Sequence, residues 1–231
     1  GEADGIVEHA GGRAGDELAA QRAEMLLEPR MPRRMHPVAA FENYIKGLVA
    51  ESPQTAVAYL EAALEVSPTF DRAKLALWES YSEQDRHDAA ARLVAGIAPD
   101  SPLWRRAQFR LGLSQLELGR YDDAYDAFKG LSRAQETAAV LNNLGIVQLR
   151  RGGTPQTGLP TQYFKQAAEL APAESDVFFN LGYAHWRARE AGEAIHWLRE
   201  AVRRNAADGE AHYVLGAALA AAGDAREAGR E

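Results

Sequence analysis

Histidine, cysteine and paired carboxylates are the side chains best suited to chemistry, and their spacing in this chain argues against catalysis. There are six histidines, His9, His36, His87, His185, His196 and His212, and no cysteine. No two histidines stand four residues apart on one helix and HExxH is absent, so the usual imidazole pair of a catalytic zinc site is missing. Lack of cysteine removes disulfides, thiolate nucleophiles and cysteine zinc sites, and leaves the compartment undecided. Gly152-Gly153 precedes no GK[ST], and GxSxG is absent. The acidic pair Asp122-Asp123 stands at a predicted helix start, where the helix dipole gives it a structural role. The expectation is a protein that is not an enzyme and needs no cofactor or metal.

Binding is a better use of such a sequence. The formal charge of −7 disfavours nonspecific attachment to nucleic acid. No apolar run approaches the roughly 18 residues needed to cross a bilayer, and no signal peptide is evident. Hydrophobic content of 46% with only ten prolines describes a folded chain, and its alanine-rich, strand-poor runs describe helices.

The elements that must position any binding residues repeat. Gly216 follows Gly182 by 34 residues, Gly145 precedes Gly182 by 37, and Gly112 precedes Gly145 by 33. Around Gly182 the order is Phe178, Leu181-Gly182 and His185, then Ala194, Leu198 and Ala201. Small residues are needed where two helices cross closely, and bulky ones fill the gaps beside them. These positions resemble the tetratricopeptide pattern W-x2-L-G-x2-Y followed by A-x3-F, strongly from Trp104 onward and loosely from Pro37. In the first two units Tyr44 and Trp78 stand where the glycine belongs, which predicts splayed or shifted helix pairs there. His185 and His212 fall in packing columns rather than among ligands.

The resemblance implies an all-α fold, a right-handed α-solenoid or superhelix of about five and a half antiparallel helix pairs. Residues 1–36 read as a tail, a short lead-in helix over Asp16 to Leu27 that covers the first repeat, and a Pro/Arg linker. The array occupies 37–231, with repeats near 37–70, 71–104, 105–137, 138–174, 175–208 and a cut repeat at 209–231. A glycine- and proline-rich insertion at 152–160 predicts a projecting loop, either a tolerated insertion or a functional one. Beginning at Gly1 without methionine and stopping mid-repeat, the chain is expected to be a piece of a longer one. Tyr213, Leu215 and Leu219 in the last first-helix should then keep an uncovered apolar face, and weak self-association through it is expected.

In tetratricopeptide arrays the first helix of each pair lines a concave groove. The resemblance therefore implies a protein-interaction scaffold that holds an extended, partly acidic peptide. Its expected contacts are Arg106, Arg110, Asn143, Arg150, Asn180, Tyr183 and Arg187. Asn143 and Asn180 resemble the asparagine ladder with which some arrays grip peptide backbone, though NLG is also ordinary wording for the family and the ladder breaks at Val214. A full carboxylate clamp is not expected, because Phe41, Ile45 and Ala76 occupy its other places. One column reads Val49, Glu83, Glu117, Arg150, Arg187 and Ala221, changing sign midway; it either orients a polar peptide or is solvated surface. Phrases such as AFENYIKGL and NNLGIVQLRRG resemble bacterial tetratricopeptide proteins whose array follows another domain. A structural module assembling through its ends and edges, or an accessory segment of a larger protein, are the alternatives to the scaffold.

Overall fold

The structure is a computed structural model that describes residues 36–230. Among them there is no strand; twelve helices follow one another and pair antiparallel. The pairs are α1 (Val38–Leu48) with α2 (Pro53–Val66), α3 (Asp71–Ser82) with α4 (His87–Ala95), and α5 (Trp104–Glu117) with α6 (Tyr121–Ala134). Then come α7 (Ala138–Arg151) with α8 (Pro160–Leu170), α9 (Ser175–Arg187) with α10 (Ala191–Arg204), and α11 (Gly209–Ala221) with the short α12 (Ala225–Ala228). The expected lead-in helix over Asp16 to Leu27 lies outside the described residues.

Local signals set the helix ends. Ser52 caps α2 by accepting from the Thr55 N–H at 3.2 Å, and Pro53 at the first helical position gives up no bond. Thr137 and Asp208 cap α7 and α11 in the same way. Between the helices of a pair the chain reverses through a left-handed residue, in turn Asp85, Gly119, Gly152, Arg189 and Gly223. From the second pair onward this conformation recurs at the turn within each pair, the backbone counterpart of the sequence period.

The glycine column marks where first and second helices touch. A Cβ on Gly112 or Gly145 would sit 2.7 or 2.5 Å from the ring of Phe128 or Phe164, and one on Gly182 would sit 2.7 Å from Leu198 Cγ. In the first pair the contact is shifted by one turn. Gly47, not Tyr44, faces Leu60, with 2.7 Å between a built Cβ and Leu60 Cγ. In the second pair Trp78 is buried, and its indole N–H donates to the Ser114 hydroxyl of α5 at 2.8 Å. The ring is thus accommodated by packing toward the next repeat.

Two large apolar clusters form the interior. One runs from Ala40 to Ala107; the other runs from Ala124 to Leu219, and Leu113 packs against both. Between them α5 buries Arg110 and Ser114 as well as Ala107 and Gly112, so the joint is partly polar.

Two expectations need correction. The 152–160 insertion does not simply project: the amide of fully buried Gln148 donates to the carbonyls of Thr157 and Gly158 at 2.5 and 2.9 Å. Gly153 lies against the Gly158 carbonyl so closely that a Cβ would stand 2.5 Å away. At the other end, Leu215 and Leu219 are buried, leaving Tyr213 as the exposed apolar side chain of α11, at 65%. The tail folds back: Ala228 packs against the main cluster, and Arg199 of α10 pairs with Glu227 at 2.5 Å.

Candidate protein-interaction groove

Contacts between repeats decide which face is concave. The first helices of successive pairs touch, α3 with α5, α7 with α9 and α9 with α11, whereas no two second helices approach to the same extent. A stack whose first helices lie closer than its second helices must curve toward the first helices. Their exposed face is therefore the inner one, as in other helical solenoids.

The expected contact residues divide on this face by burial. Arg187 is exposed, while Arg106, Asn143 and Arg150 are half-buried. Asn143 and Arg150 stand seven residues apart on α7, two turns along one side, and Asn180 and Arg187 repeat that spacing on α9. Glu83 and Glu117, in the register of Arg150 and Arg187, are exposed. The change of sign along this column is thus carried by accessible groups.

Three other residues are placed differently from the exposed position expected of them. Arg110 is only 5% exposed: its guanidinium pairs with buried Glu79 of α3 and lies 5.1 Å from the centre of the Trp78 ring. Burial, opposed by the Glu79 carboxylate, lowers its pKa, and its Nε has no hydrogen-bond partner. The physical reason is the arginine's length, which lets it cross to the neighbouring first helix and neutralise a charge already withdrawn from water. Asn180 is likewise buried, and its amide donates to Asn142 Oδ1 at 3.0 Å. Tyr183 is buried against Phe179, ring centres 6.1 Å apart, and accepts from Arg187 Nη1 at 3.4 Å. Asn143 itself donates to the Ala139 carbonyl of its own helix at 2.9 Å. The two asparagines therefore spend amide donors inside the fold.

Glu79 and Ser114 were not singled out from sequence, and Trp78 was noted only as the occupant of the glycine column. A signal was present for the first: Glu79 and Arg110, opposite in charge, are 31 residues apart, close to one repeat. The histidines take up local tasks. His185 Nδ1 meets Glu190 at 2.6 Å across the α9–α10 turn, and His36 Nδ1 meets the Ser67 hydroxyl at 2.8 Å. Among the described residues, no group of three His, Cys, Asp or Glu side chains is arranged to hold a metal ion, and no helix is long and apolar enough to cross a membrane.

An array of antiparallel helix pairs curved around a polar inner face defines an α-solenoid of the protein-interaction class. Tetratricopeptide repeat patterns match residues 49–111 and, in a second form, 109–154, 162–209 and 179–231; the chain belongs to the tetratricopeptide repeat family. No curated protein matches it. Among solved structures it is similar to PilW, a widely conserved type IV pilus biogenesis factor, with 23% identity, a TM-score of 0.67, and coverage of 83% of this chain and 86% of that one. PilF of Pseudomonas aeruginosa gives 20% identity and a TM-score of 0.66 over 83% of this chain and 88% of that one. YrrB, a tetratricopeptide protein with an unusual peptide-binding site, gives 18% and 0.56 over 73% and 86%.

Proposed function

We propose that the inner face of repeats three to five holds an extended peptide whose acidic portion lies over α7 and α9. The observation that carries this reading is the accessible pair Arg150 and Arg187, at one register on adjacent first helices, with Glu83 and Glu117 at the same register earlier in the array. Opposite charges laid along one groove select a peptide of opposite polarity and set its direction. Arg106 and Asn143 contribute accessible polar edges beside them, whereas Arg110, Asn180 and Tyr183 shape the groove floor from inside. YrrB shows that this fold can carry a peptide site.

Affinity should be on the order of micromolar or weaker, because few anchors are available and ordering the peptide costs entropy. Titration calorimetry with unstructured peptides of equal composition, acidic at one end, at the other or throughout, tests the idea. The polarised peptide of matching direction should bind best, and Arg150→Ala with Arg187→Ala should weaken it at least about tenfold. Equal binding of both directions, or unchanged binding by the double variant, contradicts the reading.

A further inference from the structure

Successive first helices meet through recurring places, counted from the glycine at each crossing. Asn180, two residues before Gly182, donates to Asn142, three residues before Gly145 on the preceding first helix. Arg110, two before Gly112, likewise reaches back to Glu79 of α3. At the α9–α11 junction the two places hold Phe179 and Val214, and both are buried. Gly47 is the crossing glycine of the first pair, so the place that looks back is Ile45 in α1, which is 37% exposed. In the last pair the place that looks forward is Tyr213, three before Gly216 and exposed. The two halves of the recurring contact thus stand open at opposite ends of the described array, and both are apolar.

We propose that a second copy of this chain joins them: α1 of one copy stacks on α11 of another, head to tail, as α9 stacks on α7. First helices of successive pairs run parallel, so aligning Ile45 with Tyr213 also sets Phe41 against Gly209 and Val49 against Ala217, one turn to either side. Shape agrees with this register. Phe41 and Val49 are bulky and exposed, Ala217 is small, and a Cβ built on Gly209 would meet nothing within 4 Å. Large residues set against small ones along a ridge are how helices interdigitate. Charge says which neighbour fits. Leu181, one before Gly182, is buried in a cluster with Phe164 of the preceding second helix, whereas the same place in α1 is the exposed Lys46, with exposed Glu42 one turn earlier. An ordinary apolar second helix would strand both charges, but α12 is one short turn bearing Arg226 and Glu227. Second helices run antiparallel to first ones, so Asp224 at the start of α12 comes level with Lys46, and Arg226 and Arg230 lie toward Glu42. The contact joins two different surfaces, so each copy keeps one end open for the next and the inner faces join into one longer groove. It leaves repeats three to five uncovered, and neither reading depends on the other.

Sedimentation velocity over a concentration series tests the stacking. The chain should be monomeric when dilute and grow through dimer to longer species, with a dissociation constant on the order of ten to a hundred micromolar for so small a contact. Ile45→Asp and Tyr213→Asp each remove one end, and either change should weaken association about tenfold or more. Mixed, the two variants should recover a dimer, through the intact Tyr213 of the first and the intact Ile45 of the second, and grow no further. Both side chains are exposed, and unchanged thermal midpoints show that the variants fold. Thiol pairing is a second readout that does without those changes: the chain has no cysteine, so Val49→Cys mixed with Ala217→Cys should yield more disulfide-linked heterodimer than random pairing gives. A chain that stays monomeric at about millimolar concentration overturns the proposal. So does association that survives either Asp variant alone, the mark of a two-fold contact between like ends, or a thiol mixture that pairs at random.

Discussion

At the scale of single residues, the Glu79–Arg110 pair is the strongest departure from an apolar interior. Both side chains are almost fully buried, so the pair's value lies in mutual neutralisation, since each ion has lost its water. Arg110→Met should cost about 3–5 kcal/mol by taking the Arg110 counter-charge away from the buried Glu79 carboxylate, while Glu79→Gln with Arg110→Met should recover much of that loss. Urea unfolding of the single and double variants measures this; additive losses would mean the two residues do not act as a pair. Sequence reading placed Arg110 on a first helix as a groove contact and found neither its burial nor its partner. A register states which way a residue points, whereas its fate depends on whether a neighbouring helix offers a counter-charge within reach. Asn180 escaped for the same reason, its partner Asn142 being one repeat away.

Among the elements, the glycine-marked crossings were legible because a contact under 3 Å between a built Cβ and its neighbour admits only glycine. Gly182→Leu should therefore destabilise by about 2–4 kcal/mol, since the added side chain meets both the Leu198 side chain and its backbone nitrogen. The insertion is less costly to remove but not neutral, because Gln148 would lose both of its carbonyl partners in the last turn of α7. Thermal unfolding should rank wild type, loop deletion and Gly182→Leu in falling order, and a reversal of the last two would refute the crossing geometry. The folded-back loop was not readable from its glycines and prolines, since the side chain that anchors it comes from the preceding helix. At the start of the array, the His36 ring stacks on Phe70 with centres 4.1 Å apart, and burial lowers its pKa despite the Asp71 charge. A depressed histidine favours the neutral form in the fold, so its contribution is intact above the ordinary value of about 6.5 and is lost as pH falls below it. Hydrogen exchange in α1 should accelerate on that acid side in the wild type, and His36→Gln should flatten the response; an unchanged slope would remove His36 as its cause.

For the whole molecule, period and curvature follow from stacking, and the period was visible in the chain from the third pair onward, while the first pair is shifted by one turn. Curvature was not, because it depends on first helices packing closer than second helices, a comparison between repeats that no single repeat contains. Curvature is also what gives the accessible charges at Glu83, Glu117, Arg150 and Arg187 a shared surface. The central claim is that this inner surface, rather than the outer one, engages the peptide. Photo-crosslinking decides between them. A photoreactive residue is placed either at Arg150 on α7, inside, or at the exposed His196 on α10, outside, and each protein is irradiated with the polarised acidic peptide. The account predicts labelling from position 150 that excess unlabelled peptide suppresses, with background labelling from position 196. Labelling from position 196 equal to or stronger than that from position 150 would contradict it.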